Sequence, residues 1–257
     1  MNQTFENGGH SKEFNLRDMA QNFMDGLQRH ADMLAFNLAS RESVQEEAYK
    51  RRAAAPQIMP AGKRHQNFEQ MQAYARDLLL RQAINDCIGL SVTALHNSHF
   101  FFALLKESGG SKKFSSETQK SAEGRHKHFL KMPLGEKFAF LEEEYGIQSE
   151  YKETLFALSL AMKALVENNG ILKAEYLGVG ENKVIVLKIK KLTVEKQATA
   201  DEKGVGRIFD EEKVFRAGES IVLSDVELQR LLVTIASFAD ALFKSVASYA
   251  QKLRNNS

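Results

Sequence analysis

The stretch that decides the fold is SLAMKALVENNGILKAEYL, Ser159 to Leu177. Leu160, Ala161, Ala164 and Leu165 recur at helical spacing, and the run ends at Asn168-Asn169-Gly170. Glycine and asparagine take left-handed backbone just past a helix end at least cost. A helix therefore stops at Asn169-Gly170, and Ile171-Leu172 opens an extended segment. Upstream, Ser149 is the expected cap of this helix, which buries Leu155, Leu158, Met162, Leu165 and Val166.

Downstream of Gly170 the period changes. Lys183 to Ile189, KVIVLKI, is β-branched and reads as a strand. Thr193 to Glu212 is polar and reads as a loop or extended hairpin. Ser220-Ile221-Val222-Leu223 is the second extended piece. Ser224-Asp225-Val226-Glu227 then has the serine and the glutamate three residues later that form a capping box. The helix it opens buries Leu228, Leu231, Leu232, Ile235, Phe238, Ala239, Leu242, Val246 and Tyr249.

Before the deciding stretch the chain is helical by pattern. Leu16, Met19, Ala20, Phe23, Leu27, Leu34 and Leu38 share one helical face. His30 lies near that face and reads as a structural histidine rather than a ligand. The polar tail SRESVQEEAYKRRAAA continues as an exposed helix, with Glu46 and Glu47 placed to pair with Lys50 and Arg51. Pro56 and Pro60 make the first break. A second long helix is expected from about Gln66 to Lys106, antiparallel to the first. Its inward face reads Phe68, Met71, Ala75, Leu78, Ile88, Val92, Leu95 and Phe102. Gln82 and Asn85 fall on the extrapolation of that face, so a buried hydrogen-bonded network is expected there.

His96 and His99 stand three apart on the same helix, a spacing that can chelate a metal. No carboxylate lies one turn from either, and Phe100-Phe101-Phe102 adjoins them. Packing is the preferred reading, with no metal and no cofactor assigned. Glu107 to Glu123 is rich in Gly, Ser and Lys and reads as a mobile loop. Arg125-His126-Lys127-His128, the most basic stretch, reads as a solvated helix start, with nucleic-acid contact as the other reading. Pro133 and Gly146 bracket a short helix carrying Phe138, Phe140, Leu141 and Tyr145.

The fold class expected is mainly α: a helical bundle with two long antiparallel helices and a small β-hairpin insertion before the C-terminal helix. Residues 1–12 are expected to be disordered. Residues 13–257 form a single helical domain, with the mobile loop at 107–123 and the β insertion at 171–223.

Composition narrows the function classes. Thirty-five basic and 33 acidic side chains give a net charge of +2, so no global field draws the chain to nucleic acid. The single cysteine, Cys87, excludes an intrachain disulfide framework and fits a cytoplasmic location. The opening MNQTFENGGHSKEF has no apolar core, which argues against a secretory signal. No run approaches about 18 consecutive apolar residues, so no membrane span is expected. There is no phosphate-cradling glycine loop, Ser-His-Asp set or CxxC pair.

The order of parts resembles the bacterial HEPN-like helical domains over roughly residues 65–250. In that family the helix before the last often ends in Arg-Asn-x-x-Val-His-Asn-x-Gly-Ile-Val, followed by an extended hairpin and a G-x-x-I-x-L-S segment opening the last helix. Here the matching residues are Met162-Lys163-Ala164-Leu165-Val166-Glu167-Asn168-Asn169-Gly170-Ile171-Leu172, and then Gly218-Glu219-Ser220-Ile221-Val222-Leu223-Ser224. Many members are metal-independent RNases that set an arginine and a histidine on one helix, usually duplicated across a homodimer. That chemistry needs a near-neutral acid or base and a cation at the scissile phosphate. The matching positions hold Met162 and Glu167, and Lys163 is one helix position off. No arginine or histidine occurs between His128 and Arg207, so no shift of the alignment restores the pair.

The resemblance therefore implies a catalytically silent site at Met162, Lys163, Glu167, Asn168, Asn169 and Gly170. The function expected is a cytoplasmic, homodimeric binding or oligomerisation module with a protein or RNA partner and no membrane. The alternative is an RNase or RNA-binding protein of a toxin-antitoxin or defence system. It would use His126 and His128, or a basic surface at Lys50 to Arg52, Lys63 to His65 or Arg125 to Lys131.

Overall fold

The computed structural model describes residues 15–53, 67–111, 114–177, 184–195 and 205–255. Side chains of the hairpin's far end, 192–195 and 205–207, lie outside that description, as do the expected disordered N-terminus and the basic residues Lys63 to His65. In chain order come α1 (Leu16–Ser43), α2 (Glu46–Ala53), α3 (Phe68–Glu107), α4 (Ser116–Lys131), α5 (Leu134–Tyr145), α6 (Lys152–Glu167), β1 (Val184–Glu195), β2 (Val205–Arg216) and α7 (Asp225–Asn255). The chain is mainly α, a helical bundle with a two-stranded antiparallel hairpin before its last helix. It divides into two compact units. One draws on the described parts of 1–23, 93–149 and 239–257, the other on those of 24–92 and 150–238.

In the first unit, aromatic packing fills the core. Phe102 is fully buried, stacks on Tyr145 at 5.0 Å and meets Tyr249 edge-on at 5.4 Å. Phe23 meets Phe243 edge-on at 5.7 Å. Such pairs add about 0.5–1.5 kcal/mol beyond the area they bury. Helix α3 ends where Gly109 and Gly110 take positive φ, and the Gly110 N–H returns to Leu105 O at 2.9 Å. A Cβ at Gly110 would stand 3.0 Å from Leu253 Cβ, so glycine is required there for space as well as conformation.

Helix α4 corrects the expectation of a mobile loop over 107–123, because it begins at Ser116. Ser115 accepts a hydrogen bond from Thr118 N at 3.1 Å, an N-cap that composition alone conceals among serines and lysines. The basic run Arg125 to His128 consequently lies in the second half of a helix, not at a helix start.

In the second unit, β1 alternates strictly. Ile185, Leu187 and Ile189 are buried, and β1 packs on α6. The Lys190 backbone N–H donates to Thr234 Oγ1 of α7 at 2.9 Å. Lys213 of β2 pairs with Glu227 at 2.7 Å and Arg230 with Glu211 at 2.9 Å, so charges also tie the hairpin to α7. The second strand lies earlier than Ser220 to Leu223: β2 occupies Val205–Arg216, with Val184 opposite Arg216. The polar composition of 193–212, with charge on both faces of the strand, is compatible with a loop or an extended hairpin, and the structure has the hairpin. Ser220 forms an isolated bridge with Ile171, and Gly218 N–H donates to Leu172 O at 2.8 Å.

His30 of α1 stands 3.3 Å from Asp86 of α3, while Val44 and Tyr49 lie beside Phe68 and Met71, so α1 and α3 run antiparallel here. The polar tail is not continuous with α1. The helix stops at Ser43, whose Oγ donates to Ser40 O, and α2 restarts at Glu46. A serine bonding back to the preceding turn and the β-branched Val44 both weaken continuation. Within α2, Glu46 and Lys50 pair at 2.8 Å.

Two further expectations are corrected. Gln82 and Asn85 are exposed, and the buried positions of α3 are Leu80, Ala83, Ile84, Cys87, Ser91, Ala94 and Leu95. A face read in steps of three, four and seven drifts by about 20° per heptad against 3.6 residues per turn. Ser149 does not cap α6. Tyr151 does so without a side-chain bond, and Val166 is 60% exposed. Helices α3 and α7 each contain an 18-residue window apolar enough to cross a membrane, at mean hydropathy 1.3 and 1.5. Half or more of each window is buried in the protein, as in core helices generally.

Candidate functional site

The stretch that the resemblance aligned with an RNase motif is the exit of α6. Two consecutive left-handed residues, Asn169 (φ 49°) and Gly170 (φ 85°), turn the chain, and both Asn168 N–H and Gly170 N–H return to Ala164 O. This is the closure that Asn-Asn-Gly encodes. Asn168 Nδ2 donates to Ile171 O at 2.8 Å. The Tyr176 hydroxyl donates to Glu167 Oε2 at 3.0 Å, and Lys163 Nζ lies 4.5 Å above the Tyr176 ring. Met162 is half-buried and Glu167 exposed. These side chains fasten the extended segment to the helix. Among the described residues of this stretch, none carries an imidazole or a guanidinium.

The other sequence-singled stretch is divided by its own helix. Successive residues on α4 point about 100° apart, so Arg125, His126, Lys127 and His128 do not form one patch. Arg125 pairs with Glu107 at 2.8 Å and Glu144 at 3.0 Å. Lys127 and His128 are exposed. His126 turns inward and its Nδ1 lies 3.1 Å from Nδ1 of His99 on α3.

His99 is fully buried and stacks on Phe129, with ring centroids 4.0 Å apart and planes within 8°. The Tyr145 hydroxyl is 3.4 Å from its Nε2. An assignment that uses each group once has Tyr145 donating to Nε2 while His99 Nδ1–H donates to His126 Nδ1. His96, one turn earlier, faces His126 edge-on at 6.3 Å, and its buried Nε2 has no hydrogen-bond partner among the described residues.

Lys137 acts on all three histidines of this cluster. Only 2% exposed, it donates from Nζ to Phe129 O at 2.7 Å, Leu130 O at 3.1 Å and Met132 O at 2.5 Å. These carbonyls belong to the last turn and the C-cap of α4; Phe129 O also accepts the Met132 N–H at 3.2 Å, and the cation from α5 serves all three. Nζ also sits 5.0 Å above the Phe129 ring. Burial lowers the Lys137 pKa.

Burial first, then neighbouring cations, pushes the histidines down. His99 falls to about 3, through burial, His126, His96, Lys137 and Arg125. His96 falls to about 4, through burial, Lys137 and His126. His126 is lowered by burial and Lys137. The cluster is therefore neutral at physiological pH. A general acid must carry its proton near the working pH and reach its substrate. His99 does neither.

Burial raises the Cys87 thiol to about 12, helped by Asp86, so it is no thiolate nucleophile. No set of three or more His, Cys, Asp or Glu side chains among the described residues can hold a metal ion.

Sequence reasoning found His96, His99 and His126 separately but not their meeting. It missed Lys137 and gave Tyr145 only a core role. The PLGEK run carries no pattern that marks its lysine as buried. No family model, curated protein or solved structure matches the chain.

Proposed function

We propose that this chain is a non-catalytic binding and oligomerisation module, cytoplasmic and homodimeric, on a degenerate HEPN-like scaffold, with a protein or RNA partner. The observation that carries the reading is the exit of α6. Where the RNases hold arginine and histidine, this chain holds Met162 and Glu167, and Glu167 and Lys163 are engaged by Tyr176. A carboxylate at that point repels a phosphate rather than stabilising it. The neutral, enclosed histidines of the α3–α4 cluster do not replace the missing acid–base pair.

The test is RNA cleavage by purified protein, with light scattering of the same sample. The expected outcome is a dimer that leaves structured and single-stranded RNA intact. Cleavage abolished by His128→Ala or His126→Ala would instead establish the RNase reading, and a monomer at micromolar concentration would remove the oligomerisation role. Titration against salt then separates the partners, because RNA held through phosphates weakens steeply as salt rises.

A further inference from the structure

A second feature lies between the end of α1, α2 and the start of α3, where the helices enclose a cleft of about 400 Å³. Small-molecule pockets span about 300–1,000 Å³ and are mostly apolar with a few fixed polar groups. Val44, Tyr49, Phe68, Met71, Leu78 and Leu79 supply the apolar wall. Tyr49 leans on Phe68 at 5.9 Å and closes one side. Leu78 and Val44 remain 45% and 46% exposed although both line a concave surface.

Arg41 is the one charged residue among the described residues lining the cleft. Its Nη2 bonds Asp225 Oδ2 at 2.5 Å, while its buried Nη1 has no hydrogen-bond partner among the described residues. Arg76 approaches the same carboxylate at 3.9 Å and donates to Leu223 O at 2.7 Å. Two guanidiniums thus share one carboxylate, which leaves one positive charge in excess beside the apolar wall. Arginine has five donors and readily binds a second carboxylate.

We propose that the cleft binds a single-chain amphipathic carboxylate, of the fatty-acid class. The tail lies along Met71, Leu78 and Leu79. The head group takes the spare donor of Arg41 after a rotation of the guanidinium about its terminal torsions. The proposal goes beyond the binding-module reading, and neither RNA cleavage nor the oligomeric state bears on it.

The experiment is calorimetric titration of the full chain with dodecanoate and with dodecanol, both below their aggregation limits. One dodecanoate per chain is expected, bound about tenfold or more tightly than dodecanol, since a charge-assisted bond separates the two. Arg41→Gln should erase that difference. Leu78→Asp, at a largely exposed position that leaves the Arg41–Asp225 pair intact, should weaken both ligands at least tenfold. Absence of dodecanoate binding, equal affinity for acid and alcohol, or an unchanged affinity in Leu78→Asp would overturn the proposal. If Arg41→Gln fails to fold, the acid–alcohol ratio in the parent and the Leu78→Asp result decide.

Discussion

Helix α3 carries two polar stretches of opposite fate. In its first half Gln82 and Asn85 face solvent, although the apolar stripe extrapolates through them. In its second half Ser98 and His99 are fully buried. The difference is chemical as well as geometric. An amide offers donors and acceptors all round and loses about 1–3 kcal/mol if buried unpaired. A neutral imidazole offers two apolar faces and two nitrogens in its plane. Phe129 covers one face of His99, while His126 and Tyr145 take the nitrogens. His99 is admitted to the core because its ring has a face to stack on and both nitrogens find partners, whereas Ser98 is buried with its Oγ unpartnered among the described residues.

The sharpest way to break this contrast is Lys137→Ala. It leaves the carbonyls of Phe129, Leu130 and Met132 without their cation beside the histidine cluster. A loss of about 3 kcal/mol in unfolding free energy is expected, measured by urea denaturation. A loss under about 1 kcal/mol would mean the cation is not what closes α4.

Next in size is acid. The unfolded chain protonates its histidines below about pH 6.5, whereas folded His96 and His99 stay neutral until about 4 and 3. Between these values the unfolded state binds more protons, so the histidines' contribution to stability is lost as pH drops from 6.5 towards 3 and is constant below. His99 alone should remove about 2 kcal/mol by pH 5. His99→Phe, which keeps the stack on Phe129, should flatten that part of the pH profile. An equally steep profile in the variant would place the acid sensitivity elsewhere.

The smallest effect is expected on the exposed side. Gln82→Ala and Asn85→Ala should each change stability by no more than about 0.5 kcal/mol. A larger loss would show that these amides are covered in solution, as a dimer seam would cover them.

The fold was legible wherever its signals are local. Asn169-Gly170 and Gly146 stop their helices with positive φ as the residue types require. Ser224 and Glu227 form both bonds of the capping box, at 3.2 and 2.5 Å. The bounds of α3 fall within two residues of expectation. The site was less legible because its partners are remote in sequence. His99 and His126 are 27 residues apart, and Arg41 and Asp225 are 184 apart. Composition also misled at Ser115, which caps α4, and along β2 it left a loop and a hairpin equally open.

By itself the sequence determined where α3, α5 and α6 end and where α7 begins, that a hairpin precedes the last helix, and that the aligned stretch lacks an arginine and a histidine. Those properties depend on residue type and on neighbours within a few positions, through backbone conformation, capping and period. Only the tertiary structure decided which face of α3 is inside, that three histidines meet near a buried lysine, and that α1 and α3 leave an apolar cleft lined by Arg41. Burial, shifted ionisation and cavities arise from what distant segments place against a side chain, and spacing along the chain does not encode them.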